Sequence, residues 1–469
     1  MKMTGWGAAA AITVAVAAAL RFYGLGSQLW FDEIVTLVES ARRPLLDVLT
    51  YFPDVNVHPF YSVLAHASLE SFGESAWALR LPACLFGIAS VAMVFALGGR
   101  VTDRVETWAG ASVLAVSYQH IWFSQNARGY TMMGFFALVS TYFLVRLAET
   151  ERRAHFVYYA LACAAGVYTH LTMAFVVAGH AVVLVGGKLA GWRAADRPAL
   201  APLLAAWAGA ALLTLGLYAP YFPELLEHFG GSDAPKQAAQ VATGKWALTE
   251  ILRNLFSGSG IAGALLTSMT AGIGALSFLR RDRFTFALLV VPAIVAGLAI
   301  VLLGQPIRPR FFFFMAGALA IFAGRGIGVL ARIENPRSTP TVATVAALTL
   351  VVIGVSAFAL PRNYLVPKQN FDESVHYLEG EFAAGAVIGA AGPACFPVER
   401  YYAKADWPCL KSVADLDALA ASNRPVLVLH TLGDYIDDGA LRDRIKTACR
   451  EVRRWPGTLG GGDMVVCRP

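Results

Sequence analysis

Apolar stretches of about twenty residues, the length that crosses the hydrocarbon core of a bilayer, recur along this chain between short polar segments. The first covers residues 5–20. Its Ala-rich pattern, with Ala17 to Ala19 as a small-residue site, also has the look of a signal peptide, but the run continues into Arg21-Phe22-Tyr23 and many more apolar stretches follow, so it is read as a membrane helix. From Gly24 to Ala76 no stretch reaches spanning length. Amphipathic pieces at 33–39, 44–51 and 58–72 instead predict a long external loop packed against the membrane, the last piece being an interfacial or re-entrant helix.

Further spans are predicted over 82–97, 109–122, from the turn at 124–128 to about 145, twice within 156–185 with a break near Thr169-His170, and over 203–221, 261–279, 284–303, 311–330 and 342–360. Residues 223–259 read as a second long external loop whose amphipathic part, 246–256, lies on the membrane. The pattern predicts a mainly α, polytopic helical bundle of about eleven spans. After the last span the periodicity changes. Helical stretches at 372–379, 413–421 and 439–452 alternate with strand-like runs at 386–388, 426–430 and 464–467, which predicts a small α/β domain. The expected division is a membrane domain over 1–361 and an extracytoplasmic domain over 362–469.

Composition agrees with this picture. Hydrophobic residues make up 57% of the chain and charged residues 15%, against roughly a quarter charged in soluble domains, and the mean hydropathy is +0.55. The formal charge of +6 does not indicate nucleic acid, because Lys and Arg gather in the short loops: Arg100 and Arg104; Arg146, Arg152 and Arg153; Lys188, Arg193 and Arg197; Arg280, Arg281 and Arg283; Arg332 and Arg337. That is the positive-inside pattern. It places the N-terminus in the cytoplasm and the last domain outside, in the periplasm of a bacterial inner membrane. Of the six cysteines, Cys84 and Cys163 lie in apolar segments, whereas Cys395, Cys409, Cys449 and Cys467 fall in the polar C-terminal region. No tight metal-type spacing is present, so disulfides in an oxidising compartment are expected, with three connectivities open.

Candidate chemistry sits on the outer face. The stretch Leu29 to Glu33 puts two carboxylates, Asp32 and Glu33, at a membrane edge, where an acidic pair is costly unless it works or is paired. The same face gathers His58, Gln125, Arg128, Tyr130, His170, Arg308 and Arg310. Such a set suits a donor linked through phosphate to a polyprenol. The acceptor needs one base; the departing lipid phosphate leaves without protonation, and arginines stabilise its developing charge. A single displacement of this kind inverts the anomeric centre. Each residue also has an ordinary reading: Arg128, Arg308 and Arg310 as interfacial arginines, His58 as a helix start before Pro59, His170 as a packed turn histidine, Tyr130 as a belt aromatic.

The ordered motifs LWFDE, HPFYSVLAHASLESFGESAWALRLPACLFG, YQHIWFSQNARGYTMMGFFALVSTYFL and RPRFFFFM resemble the GT-C membrane glycosyltransferases, in particular the branch of protein O-mannosyltransferases and lipid A aminoarabinose transferases. The resemblance covers the first 150 or so residues well and the rest by architecture. It implies a GT-C bundle that moves a sugar from a polyprenyl-phosphate-linked donor to an acceptor, a protein, lipid A or another glycolipid, at the outer face. It maps the base onto Asp32, an assisting or orienting acid onto Glu33, and donor-phosphate binding onto Arg128 and Arg310, with His58 and Arg308 beside them; Gln125, Tyr130 and His170 are further candidates. The chain departs from the family at Pro59-Phe60, where relatives show Pro-Pro, and at Gln125-Asn126-Ala127, where some carry a second acid. No cofactor is assigned, and a divalent metal has neither support nor opposition in the sequence. A transporter or flippase of lipid-linked sugars is the alternative, but it calls for charges near the bilayer midplane and paired broken helices. A non-catalytic scaffold leaves the carboxylates and arginines without a purpose.

Overall fold

The computed structural model describes residues 3–52, 57–196, 198–230, 244–304, 307–332 and 342–469. Helix α1 (Met3–Phe22) leads into α2 (Phe31–Thr36), which passes into a π-helical turn (Leu37–Ala41), then α3 (Leu45–Thr50) and α4 (Pro59–Phe72). These short helices form the long loop between the first two long helices. The bundle continues with α5 (Ala76–Val101), α6 (Arg104–Val116), α7 (Tyr118–Ser124), α8 (Tyr130–Glu149), α9 (Arg153–Thr169) and α10 (Met173–Leu189). Helices Leu200–Tyr218, Gly244–Arg281, Arg283–Leu302, Ala316–Leu330 and Val342–Leu365 complete it, with a 3-10 turn, Pro309–Met315, before Ala316.

Among the described residues eight helices are long and apolar enough to cross a membrane. Leu204, Leu212, Leu298 and Phe358 stand exposed on them, an arrangement that water disfavours and lipid accepts. The chain is a multi-pass membrane protein. The sequence total of about eleven also rests on three shorter spans: α6 continued by α7, α9 and α10, the last two 17 residues each. One expectation changes form. Residues 246–256 do not make a separate surface helix but belong to a single helix, Gly244–Arg281, of 38 residues.

Lipid offers no hydrophobic drive between helices, so small residues and polar ties hold the bundle. A side chain at Gly274 would meet the Phe322 carbonyl oxygen at 1.8 Å, and one at Gly326 would meet the Thr270 oxygen at the same distance. Helix Gly244–Arg281 therefore crosses Ala316–Leu330 backbone to backbone. At the end of the bundle away from α2, the buried Glu106 carboxylate accepts from Arg325 at 2.9 Å and from Arg332 at 2.9 Å, and Arg332 reaches Asp103 as well. Arg21, fully buried near the end of α1, donates to the carbonyls of Ala115 and Leu114 at 2.9 and 3.2 Å. These carbonyls lie where α6 breaks at Ser117, and that of Leu114 also accepts from the Ser117 amide at 3.3 Å.

The C-terminal region carries a five-stranded sheet in the order β2-β1-β3-β5-β4, built from β1 (Val387–Ala391), β2 (Cys409–Leu410), β3 (Val426–His430), β4 (Arg450–Trp455) and β5 (Met464–Arg468). Strands β1, β2 and β3 run parallel, and β5 is antiparallel to both its neighbours. The helix expected over 439–452 stops at Ala448. The next residue, Cys449, is bonded to Cys467 on β5, which draws the following residues into the highly charged edge strand β4. The second disulfide joins Cys395 to Cys409, so of the three connectivities the chain adopts the sequential one. The sheet is not a detached module. Ile388, Leu429 and Trp455 share one apolar core with Leu29, Ile34, Tyr61 and Leu79 of the external loop and α5.

Filling the closest helix crossing should loosen the bundle. Gly326→Val is expected to lower the melting temperature in detergent by several degrees, in line with an overpacking cost of about 1–3 kcal/mol. Gly216→Val, at a glycine with nothing within 4 Å, should melt like the parent. Tryptophan-fluorescence melting curves measure both, and equal curves for all three proteins would refute the crossing.

Candidate active site

Helix α2 begins directly after Leu29-Trp30, and its second and third residues are the two acids. Consecutive helical residues point about 100° apart, so Asp32 and Glu33 serve different surroundings. Glu33 turns inward. Its Oε1 accepts from Arg80 Nε at 2.7 Å and from the Ala127 amide at 2.8 Å, and its Oε2 accepts from Arg80 Nη2 at 2.5 Å and from the Trp30 amide at 3.3 Å. Both side chains of this ion pair are 0% exposed. Arg80 spends its other N–H groups on the carbonyls of Leu25, Ser27 and Gln28. Burial alone would push the Glu33 carboxyl up; the Arg80 guanidinium, with Lys368 and the Ala127 amide, outweighs it and holds the group below its ordinary value near 4.5.

Asp32 faces the other way and is partly open to solvent, with Oδ2 3.5 Å from Arg310 Nη1. Around this pair lie Arg128, His58, His170 and Tyr130. Arg128 is buried, and among the described residues its Nε meets no acceptor. His58 Nδ1 accepts from the Gly129 amide at 3.1 Å, and its ring packs 4.8 Å from His170 and 5.0 Å from Tyr130. Burial, with Arg128 and Arg310 adding to it, drives the His58 imidazole well below its ordinary value and that of His170 down to about 3. Both rings are therefore neutral at physiological pH, and the positive charge beside Asp32 belongs to the two guanidinium groups. Next to Arg128 a cavity of about 60 Å³ opens between Thr36, Glu39, Ser40, His58 and Ser62.

The structure thus brings Asp32, Arg128, Arg310, His58, His170 and Tyr130 together and moves three other candidates aside. Glu33, expected as an assisting or orienting acid, has no exposed surface and both oxygens engaged by Arg80 and the amides of Ala127 and Trp30. Gln125 is a strut: its amide donates to the carbonyls of Arg21 and Tyr23 at 3.0 and 2.6 Å, the orphaned end of α1, while its oxygen accepts from Asn363 at 2.8 Å. Arg308 leans over the ring of Tyr435 in the C-terminal region, 6.0 Å from its centroid. Two expectations of detail also change. Tyr130 is buried instead of sitting in an interfacial belt, and the His58 side chain, although at the N-cap of α4, does not cap it.

Two residues of this neighbourhood were not read from the sequence. Arg80 falls just ahead of the predicted span 82–97, where a guanidinium in an apolar helix turn needs a partner, but nothing in the sequence singles out Glu33, 47 residues away. Lys368, just past the last span, donates to the Gln125 carbonyl and lies over the Trp122 ring. Burial lowers its amine to about 7 against the pull of Glu33. Nothing in its local sequence signals that. Among the described residues no three His, Cys, Asp or Glu side chains converge as a metal-binding group.

Known proteins provide an independent frame. A family model described as dolichyl-phosphate-mannose-protein mannosyltransferase matches residues 56–216. No curated protein matches the sequence. ArnT from Cupriavidus metallidurans, solved bound to undecaprenyl phosphate, is similar in structure with a TM-score of 0.58 at 16% identity, covering 99% of this chain and 98% of its own. The oligosaccharyltransferase of Archaeoglobus fulgidus, tethered to an acceptor peptide, gives 0.55 at 13% identity over 92% of this chain and 69% of its own. The oligosaccharyltransferase AglB from Archaeoglobus fulgidus, with an inhibitory peptide and a dolichol-phosphate, gives 0.53 at 12% identity over 99% of this chain and 74% of its own. The fold is that of the GT-C glycosyltransferases.

Leaving one member of a fully buried ion pair alone costs about 3–5 kcal/mol. Glu33→Gln and Arg80→Met should each melt many degrees below the parent in detergent. Because the folded-state value of Glu33 is depressed, its contribution is fully present above pH 4.5 or so and is lost as pH falls through the lower folded value. Melting curves between pH 7 and 3.5 check the sign: the parent should lose more stability on acidification than Glu33→Gln. Parallel curves would remove Glu33 from this role.

Proposed function

We propose that the chain is an inverting glycosyltransferase that moves a sugar from a polyprenyl-phosphate carrier to an acceptor on the outer face of a bacterial inner membrane. The observation that carries this reading is a partly exposed carboxylate, Asp32, facing Arg310 beside a buried Arg128 whose Nε has no acceptor among the described residues, in a fold shared with ArnT and AglB. One base and two guanidiniums are the parts that the reaction needs.

The steps follow from the groups in place. The donor phosphate binds against Arg128 and Arg310 through charge-assisted hydrogen bonds. As Arg310 turns to the phosphate, Asp32 is released to accept a hydrogen bond from the acceptor's hydroxyl or amine. That nucleophile attacks the anomeric carbon from the face opposite the phosphate and gives its proton to the Asp32 carboxylate. The carbon–oxygen bond to phosphate breaks, and polyprenyl phosphate leaves with its electron pair. The two guanidiniums stabilise the charge that develops there. The neutral imidazoles of His58 and His170 add no charge; with Tyr130 they wall the site and exclude water. The C-terminal domain stands on the acceptor side, in the periplasm, where its two disulfides persist. The acceptor is a protein or a glycolipid.

A labelled polyprenyl-phosphate-linked hexose, with the protein in lipid nanodiscs, tests this. Asp32→Asn should cut turnover by about 10²–10⁴-fold, the range of a positioned base, with donor affinity kept. Arg128→Met should weaken donor binding about 10–100-fold, the loss of a charged hydrogen bond. Full turnover by Asp32→Asn would end the assignment of the base.

A further inference from the structure

Between the last span and the first helix of the C-terminal region, Lys368, Gln369 and Asn370 each hold a different part of the site. Lys368 donates to the Gln125 carbonyl. Asn370 Oδ1 accepts from Gln28 Nε2 at 2.9 Å, and Gln28 Oε1 accepts from the Asp372 amide at 2.9 Å. Gln369 Oε1 accepts from the backbone amide of Phe31 at 2.9 Å. Phe31 is the first residue of α2, and the first amides of a helix have no partner within it. No side chain at the N-cap, Trp30, supplies one.

The other end of the Gln369 amide is fixed as firmly. Its Nε2 donates to Thr431 Oγ1 at 2.9 Å, directly after strand β3. The loop between β4 and β5 holds the strap from the same side, with the amides of Thr458 and Leu459 donating to the carbonyls of Pro367 and Lys368 at 2.9 and 3.2 Å. Gln369 and Thr431 are 0% and 1% exposed. A buried amide with both ends satisfied by two separate elements passes the position of one to the other.

We propose that Gln369 is a positioning residue for Asp32: it caps α2 from outside and makes the aim of the carboxylate depend on the seating of the C-terminal domain. This rests on the reading of Asp32 as the base. Gln369 meets neither donor nor acceptor; it sets the turn that begins one residue before Asp32, and a displacement near 1 Å at a reacting group is enough for about a 100-fold loss.

The test uses the full chain in nanodiscs. Gln369→Met removes both hydrogen bonds at nearly constant shape, Thr431→Val removes only the second, and Gln369→Glu keeps an acceptor for the Phe31 amide. Hydrogen exchange over residues 29–36 is read first, because it needs no activity: Gln369→Met should speed it several-fold while residues 59–72 stay as in the parent, and Gln369→Glu should restore protection. Turnover of the polyprenyl-phosphate hexose is read second. For Gln369→Met kcat should fall about 10–100-fold with the donor KM unchanged, and Thr431→Val should fall less. Gln369→Glu, which adds a further carboxylate near Asp32 besides Glu33, should recover much of kcat but shift the acid limb of its pH profile upward. Unchanged exchange at 29–36 overturns the proposal, and so does faster exchange with parental kcat. A parent that never turns over the hexose sinks the transferase reading by itself, and the exchange result then still decides whether Gln369 fixes the turn.

Discussion

Everything about this site depends on the ion pair of Glu33 with Arg80. Removing two charges from water costs several kcal/mol per ion, and only good geometry with every remaining N–H and lone pair satisfied offsets it. The pair meets that condition: two contacts between carboxylate and guanidinium, two backbone amides on the carboxylate, and three carbonyls on the guanidinium. In one place it joins the loop after α1, the start of α5 and the turn before Arg128. Asp32, one residue away, is thereby held at the surface facing Arg310. Two adjacent carboxylates thus have different surroundings, one buried against Arg80 and the other, the proposed base, partly exposed beside Arg310.

Charge in the site is sorted by the same means. Burial keeps His58 and His170 neutral beside Arg128 and Arg310, so the cationic field around Asp32 comes from the two guanidinium groups. A phosphate entering there gains the attraction of two guanidiniums without competing with protonation of the imidazoles. The C-terminal sheet belongs to this arrangement, since it shares its apolar core with the external loop and tethers both site loops through Lys368, Gln369 and Asn370.

Much of the fold was legible because membrane helices advertise themselves. Apolar length, basic loop ends and the change of period after residue 360 located the bundle and the C-terminal domain, and the run 426–430 matched strand β3 residue for residue. The failures have physical causes. The amphipathic texture of 246–256 was taken for a surface helix, whereas continuity with the following span decided its form. The residues after Ala448 read as helix because a disulfide partner eighteen residues away is invisible to local periodicity. In the site, outer-face position gathered Asp32, Arg128, Arg310, His58, His170 and Tyr130, but position does not say where a side chain points. Glu33, Gln125 and Arg308 carry the same signal as their neighbours, and sequence does not show that their contacts run to Arg80, to the end of α1 and to the Tyr435 ring. Arg80 and Gln369 escaped notice because their importance lies in partners 47 and 338 residues away in sequence.

The central claim is that the Asp32 turn and the two arginines form one receptacle for a lipid phosphate. The most direct measurement is an electron cryomicroscopy map of the protein in nanodiscs with polyprenyl phosphate bound. The account predicts phosphate density within hydrogen-bonding reach of both Arg128 and Arg310, with the Asp32 carboxylate facing it across an open gap. Density at a site that neither arginine touches, or a map in which Asp32 and Arg310 face separate compartments, would contradict it.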